Sequence, residues 1–207
     1  MTTADSQIPV PKASRRQLWL VVAMFFVPLG IAFLMYYGNL GWRPEGSTNK
    51  GELIDPARPL PEVALVTPAG SPTTSDFLRG KWSIVYVGSG ACDEACRRAL
   101  TDIRQVRLAL NQNSSRVQRV FLYSGPCCDQ AYFSTEQAGL IAASVDDAAG
   151  KSVLSVFPAA GGVDVLEAGR LYLVDPLGNL MMSYERGAPV KGLLEDLKKL
   201  LNLSHIG

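Results

Sequence analysis

The chain has 207 residues, of which 47% are hydrophobic and only 19% charged, below the usual ~25%. With 20 Lys and Arg against 19 Asp and Glu, it is neither a disordered polyampholyte nor a protein with the basic excess that nucleic-acid binding requires. Four cysteines are too few for a disulfide-knit mini-protein, and the single histidine, His205, excludes a centre built from several imidazoles.

Leu18 to Tyr37 reads LWLVVAMFFVPLGIAFLMYY, 20 residues without a charge. At 1.5 Å per residue that run spans a ~30 Å hydrocarbon core. Trp19, Tyr36, Tyr37 and Trp42 stand near its ends, where amphipathic rings favour the headgroup region. The run predicts a transmembrane anchor over 18–37. A buried core helix and a cleaved signal peptide are the alternatives. The first is disfavoured by the length of the run, the second by its length and by YYGNLGW, which lacks a small-residue cleavage pattern. Before the run stand Lys12, Arg15 and Arg16 against Asp5. After it stand Arg43 and Lys50 against Glu45, Glu52 and Asp55. The positive-inside rule therefore places 1–17 in the cytoplasm and everything after Tyr37 across the membrane.

Residues 38–59, rich in Gly, Pro, Asn and charge, read as a linker. Residues 60–203 are long enough for one domain with a full core, and 204–207 form a tail. Within the domain, Glu62–Val66 predicts a short strand. Trp82–Val87 (WSIVYV) predicts a strand buried on both faces. Cys96, Ala99, Leu100, Ile103, Val106 and Leu110 fall on one helical face. Val117–Tyr123 predicts a second strand and Asp146–Phe157 a short helix. Arg170–Val174 and Leu180–Tyr184 flank Asp175-Pro176-Leu177-Gly178-Asn179 as a hairpin. The apolar period from Val190 to Leu201 makes a closing helix. This order is that of a thioredoxin fold, α/β with a mixed sheet and helices on both faces. A right-handed crossover makes the Trp82 and Val117 strands parallel.

The chemistry-bearing residues are the cysteines. Cys92 and Cys96 follow the Trp82–Val87 strand directly, in a C-x₃-C spacing where a helix begins. If both lie in the first turn they share one face. They can then ligate a soft metal together or cycle between dithiol and disulfide. A helix N-terminus favours the thiolate for either use, while Asp93 and Glu94 oppose it. Cys127 and Cys128 follow the next strand. Parallel strands end at one edge, so both pairs are expected there, where open α/β sheets carry their sites. The two pairs could exchange disulfides, bind metal together, be locked in a static disulfide between the pairs, or be unrelated to one another.

With these residues in place, the chain resembles the Sco family of membrane-anchored copper chaperones, over roughly residues 18–201. The resemblance rests on the anchor, the element order, C-x₃-C after a buried strand, and Tyr172-Leu173-Val174-Asp175-Pro176-Leu177-Gly178 in the hairpin. Asn49-Lys50-Gly51-Glu52-Leu53-Ile54-Asp55-Pro56 also resembles a segment of short anchored proteins linked to bacterial oxidase assembly. The resemblance implies a domain in the bacterial periplasm, a cytochrome oxidase subunit as partner, copper as the metal, and Cys92 and Cys96 as copper ligands or redox pair. A general thiol–disulfide oxidoreductase and a non-catalytic binding protein on the same fold are the alternative readings. Three positions depart from the family. Asp93 and Arg97 stand where Pro usually follows each cysteine. Glu167 stands where the family's copper-ligating His is expected, about five residues before Tyr172. No Pro precedes this strand, where thioredoxin-type reductases place a cis-Pro. Met181 and Met182 read as strand residues of the core and His205 as a tail residue. Cys127 or Cys128 is then the best soft replacement for the missing imidazole.

Overall fold

The structure, a computed structural model, describes residues 15–38, 49–158, 161–204 and 206. The segment before Arg15, the part of the linker over 39–48 with Trp42 and Arg43, and His205 lie outside the described residues. Contacts divide the chain into Met1–Gly46 and Ser47–Gly207.

In the first unit, α1 (Arg15–Tyr37) runs 23 residues with Pro28 inside it and no residue buried. It is long and apolar enough to cross a membrane. Its start at Arg15 adds Arg15, Arg16 and Gln17 to the expected span.

In the second unit the strands are β1 (Glu52–Pro59), β2 (Trp82–Ser89), β3 (Val117–Ser124), β4 (Leu140–Ser144), β5 (Leu171–Val174) and β6 (Asn179–Tyr184). The helices are α2 (Glu94–Ala109), α3 (Gln130–Thr135), α4 (Ala148–Leu154), α5 (Val165–Ala168) and α6 (Val190–Leu203). The strands form one sheet in the order β1-β6-β5-β2-β3-β4. β2, β3 and β4 are parallel neighbours, whereas β5 and β6 pair antiparallel, as the hairpin reading requires.

Alternation along the central strands builds two cores. Ile84, Tyr86, Phe121, Tyr123, Leu173 and Met182 face α2 and α6, meeting Cys96, Leu100, Ile103 and Val106 from one helix and Leu193, Leu197 and Leu201 from the other. Val85, Val87, Val120, Leu122, Tyr172 and Val174 face the opposite layer, with Leu60, Leu65, Phe77, Val153, Phe157 and Val165. Each fully buried Leu, Val or Phe contributes roughly 1.5–3 kcal/mol, and β2, buried from Trp82 to Gly88, contributes to both layers.

Two expectations fail at the start of the domain. Glu52–Pro59, read as linker, is β1, an edge strand antiparallel to β6. Glu62–Val66, read as a strand, makes only an isolated bridge from Val66 to Pro72. The reason is the same in both places. All of β1 except half-buried Ile54 is exposed, so its sequence carries no apolar alternation, and it is held by main-chain pairing. Leu65 is buried as a plug beneath the second core without extending a ladder. The segment entering β1 is fastened by Asp196 of α6. This buried carboxylate accepts the main-chain N–H of Lys50 and Gly51 and the Tyr184 hydroxyl, each at 2.9 Å by its closer oxygen. Gly51 is required there, because an added Cβ would meet the Tyr184 ring at 2.6 Å. Burial, then the adjacent Asp196 carboxylate, push the Tyr184 phenol above its ordinary value.

Candidate functional site

β2 and β3 stay in parallel register to Ser89 opposite Ser124. Each strand reaches its first cysteine three residues further on, at Cys92 and Cys127, so the sheet sets the two cysteine loops side by side. The Gly90 N–H donates to the Ser124 carbonyl at 2.8 Å. A Cβ on Gly90 would stand 2.6 Å from the Pro126 carbonyl oxygen. The contact between the loops therefore depends on a bare main chain.

The first loop turns sharply. The Cys92 N–H donates to the Ser89 carbonyl at 3.1 Å, and Cys92 takes φ +45°. Asp93 is the N-cap of α2, its carboxylate accepting the Cys96 N–H at 2.9 Å. Cys92 therefore precedes the helix and only Cys96 lies in its first turn, which corrects the expectation of both on one helical face. The turn still brings their Cα atoms to 5.1 Å, and the two are joined as a disulfide. Both are buried, at 4% and 3% exposure. Asp93, read from sequence as a charge opposing the thiolate, acts as a cap that satisfies a main-chain donor.

In the second loop Cys127 and Cys128 are paired with each other and half-buried. The static disulfide between the loops, one of the readings left open above, is not formed: Cys92 is bonded to Cys96, and the sulfurs of Cys127 and Cys128 lie against each other. Asp129 follows as the cap of α3, accepting the Tyr132 N–H at 3.2 Å. Asp146 holds the strand end from the other side, accepting the hydroxyls of Ser124 and Ser144 and the Gly125 N–H. The Ser124 hydroxyl, then the Gly125 N–H and the Ser144 hydroxyl, hold the Asp146 carboxyl below the ordinary range.

Arg97 joins the two loops. Its guanidinium pairs with Asp129 at 3.0 Å, its Nε donates to the Cys92 carbonyl at 3.4 Å, and it lies 4.6 Å from the Tyr132 ring centre. The Tyr132 hydroxyl returns a hydrogen bond to the Arg97 carbonyl at 3.2 Å. The sequence reading missed this cluster, taking Arg97 only as a departure from the family. A signal was present in the spacing of Asp93 and Asp129, each three residues ahead of the amide it caps.

Glu167, carried by α5, lines a cleft of about 400 Å³ together with Tyr86, Ser89, Asp93, Cys96 and Arg186. Counting back from Tyr172 therefore leads to the cleft that Cys96 lines, but to an exposed carboxylate. Arg186 spans this corner, 3.9 Å from Asp93 and over Gly169. Burial, then the Asp93 carboxylate, raise the Tyr86 phenol against the lowering effect of Arg186. Met182 is enclosed in the first core with the Tyr184 hydroxyl on its sulfur at 3.8 Å, and Met181 does not line the cleft. Among the described residues no three of His, Cys, Asp and Glu stand together to hold a metal ion. A soft ion such as Cu(I) prefers sulfur and imidazole to carboxylate. Cys92 and Cys96 with a carboxylate across the Cys96 cleft do not make the soft three-donor centre that the resemblance implies.

Over residues 82–204 the chain matches the profile of the family described as "Transmembrane-like, thioredoxin-like, C-terminal domain". It belongs to that family. A Stutzerimonas stutzeri protein named "Putative copper-binding protein" is 25% identical over 164 residues, covering 72% of this chain and 80% of that one. Yeast Sco1 with copper bound superposes with a TM-score of 0.56 at 19% identity, covering 77% of this chain and 96% of the other. BsSco, in a structure titled for a disulfide switch and for membership of the Sco family of cytochrome c oxidase assembly proteins, gives 0.53 at 15% identity, covering 74% and 99%. These likenesses establish the thioredoxin-like fold of Sco proteins.

Proposed function

We propose that this chain is a membrane-anchored, Sco-like accessory protein that exchanges thiols with an exported client, through Cys92 and Cys96. The carrying observation is the buried cysteine pair at the start of α2, with Cys96 opening on the cleft lined by Glu167 and Arg186. The client class follows the likeness to BsSco, described as a member of the Sco family of cytochrome c oxidase assembly proteins: a subunit of such an oxidase. Arg15 and Arg16 at the start of α1 support an anchor with its N-terminus in the cytoplasm and the domain in the periplasm.

Thiol exchange is favoured over copper delivery because the cleft supplies a carboxylate where a third soft ligand is needed. In the reduced protein, the first turn of α2 favours the Cys96 thiolate. That thiolate attacks one sulfur of a client disulfide. The other client sulfur leaves as a thiolate and takes up a proton. The Cys92 thiolate then attacks Cys96 in the mixed disulfide, which releases the second client thiol and restores the Cys92–Cys96 bond.

The test is a glutathione redox titration of the full chain in detergent, read by alkylation and mass spectrometry, alongside competition for Cu(I). A Cys92–Cys96 pair that titrates reversibly, with Cys92→Ser or Cys96→Ser each abolishing client reduction, is expected. The double variant should be no worse than either single one, since a pair acting as a unit is non-additive. Client reduction that survives Cys92→Ser or Cys96→Ser, together with tight stoichiometric Cu(I) binding by the reduced chain, would replace this reading with copper delivery.

A further inference from the structure

We infer that Cys127 and Cys128 are a second redox pair that passes electrons to Cys92–Cys96, with Arg97 as the positioning residue between them. The inference rests on the thiol-exchange reading above. Exposure is the first argument. Cys92 and Cys96 are 4% and 3% exposed, and Cys96 opens only on the Glu167 cleft that the client uses, so a separate reductant is better received elsewhere. Cys127 and Cys128 are half-buried and therefore the more accessible pair. Placement is the second. The two loops leave adjacent parallel strands in register, are stitched by the Gly90–Ser124 hydrogen bond, and touch through Gly90 and Pro126 with no side chain between them. Cys127 also packs against the core cluster that contains Cys92 and Cys96. The third is the clamp. Arg97 follows Cys96 directly, holds the Cys92 carbonyl, and pairs with Asp129, the residue after Cys128. One side chain thus ties both pairs to a common frame.

The transfer balances within the protein. An external dithiol reduces the Cys127–Cys128 bond and leaves as a disulfide. A thiolate of this pair attacks a sulfur of Cys92–Cys96, forming a bridge between the loops, and the displaced sulfur leaves as a thiolate. The remaining thiolate of the second loop attacks its neighbour in that bridge and reforms Cys127–Cys128. Two electrons and two protons have then moved from the second pair to the first. Reductant enters at the Cys127 loop and client at the Cys96 cleft, so the two need not compete for one surface.

The experiment uses the full chain in detergent micelles. Four double Cys→Ser variants, each keeping one cysteine from each loop, are treated with diamide and peptide-mapped. At least one is expected to form an intramolecular bridge between the loops; no bridge in any of them overturns the inference. In parallel, the rate at which dithiothreitol opens Cys92–Cys96 is compared between wild type and Cys127→Ser/Cys128→Ser. A fall of roughly tenfold is expected, because a thiol held beside the bond reacts at an effective concentration that free dithiothreitol does not match. Arg97→Ala should slow the same step with Cys127 and Cys128 intact, and Arg97→Lys should restore part of it. A rate unchanged by loss of the second pair sinks the relay while leaving thiol exchange standing. A Cys92–Cys96 pair that no dithiol opens in wild type sinks thiol exchange itself.

Discussion

Gly90→Ala probes the contact between the cysteine loops with the smallest available change. Gly90 lacks the positive φ that would strain an alanine, so the cost is steric. The new methyl would meet the Pro126 carbonyl oxygen at 2.6 Å, its carbon at 2.9 Å and the Gly125 carbonyl oxygen at 3.0 Å. All three are main-chain atoms, and no rotamer change relieves them. Opening the closest approach to an ordinary 3.4 Å requires the loops to part by about 0.8 Å. Overpacking of this kind costs about 1–3 kcal/mol. For a domain of this size each kcal/mol lowers Tm by about 2–4 °C, giving a fall of ~2–12 °C. Thermal unfolding of the thioredoxin-like domain within the full chain, followed by near-UV circular dichroism, measures it. The same variant should slow electron passage from Cys127/Cys128 to Cys92–Cys96. A Tm within about 1 °C of wild type, with an unchanged exchange rate, would refute both the contact and its use.

Two further outcomes follow from the site. Glu167→His places an imidazole on the cleft that Cys96 lines, so the reduced variant should bind Cu(II) and Cu(I) more tightly than wild type, read by competition with a chelator and by copper–thiolate absorption. No gain would show that position 167 does not address the sulfurs. The Asp146 carboxyl is held low chiefly by the Ser124 hydroxyl. Its stabilising effect is therefore complete above the ordinary carboxylate value of ~3.9 and is lost as pH falls through the lower value of the folded protein. Hydrogen exchange at the Gly125 amide should accelerate over that acidic window, and Asp146→Asn should remove the pH dependence. Protection that is flat in pH for the wild type would count against this hold on the loop.

The apolar run of α1, the buried strand β2, the amphipathic helices α2 and α6 and the hairpin β5–β6 were legible because each writes its environment into its own periodicity. Position in the chain was equally informative for Cys92 and Cys96, since a cysteine directly after a central parallel strand lies at the sheet edge where open α/β folds carry their sites. The two strands that the sequence did not reveal, β1 and β4, are the two edges of the sheet. An edge strand is held on one side only, and β1 keeps nearly all its side chains in water, so pairing with β6 leaves no pattern in ELIDPARP. The same limit governs the site. Which cysteine pairs with which, the grip of Arg97 on Asp129 across 32 residues and that of Asp196 on Gly51 across 145 depend on strand order and register. Periodicity reports whether a residue is buried, and only the assembled sheet decides what it is buried against.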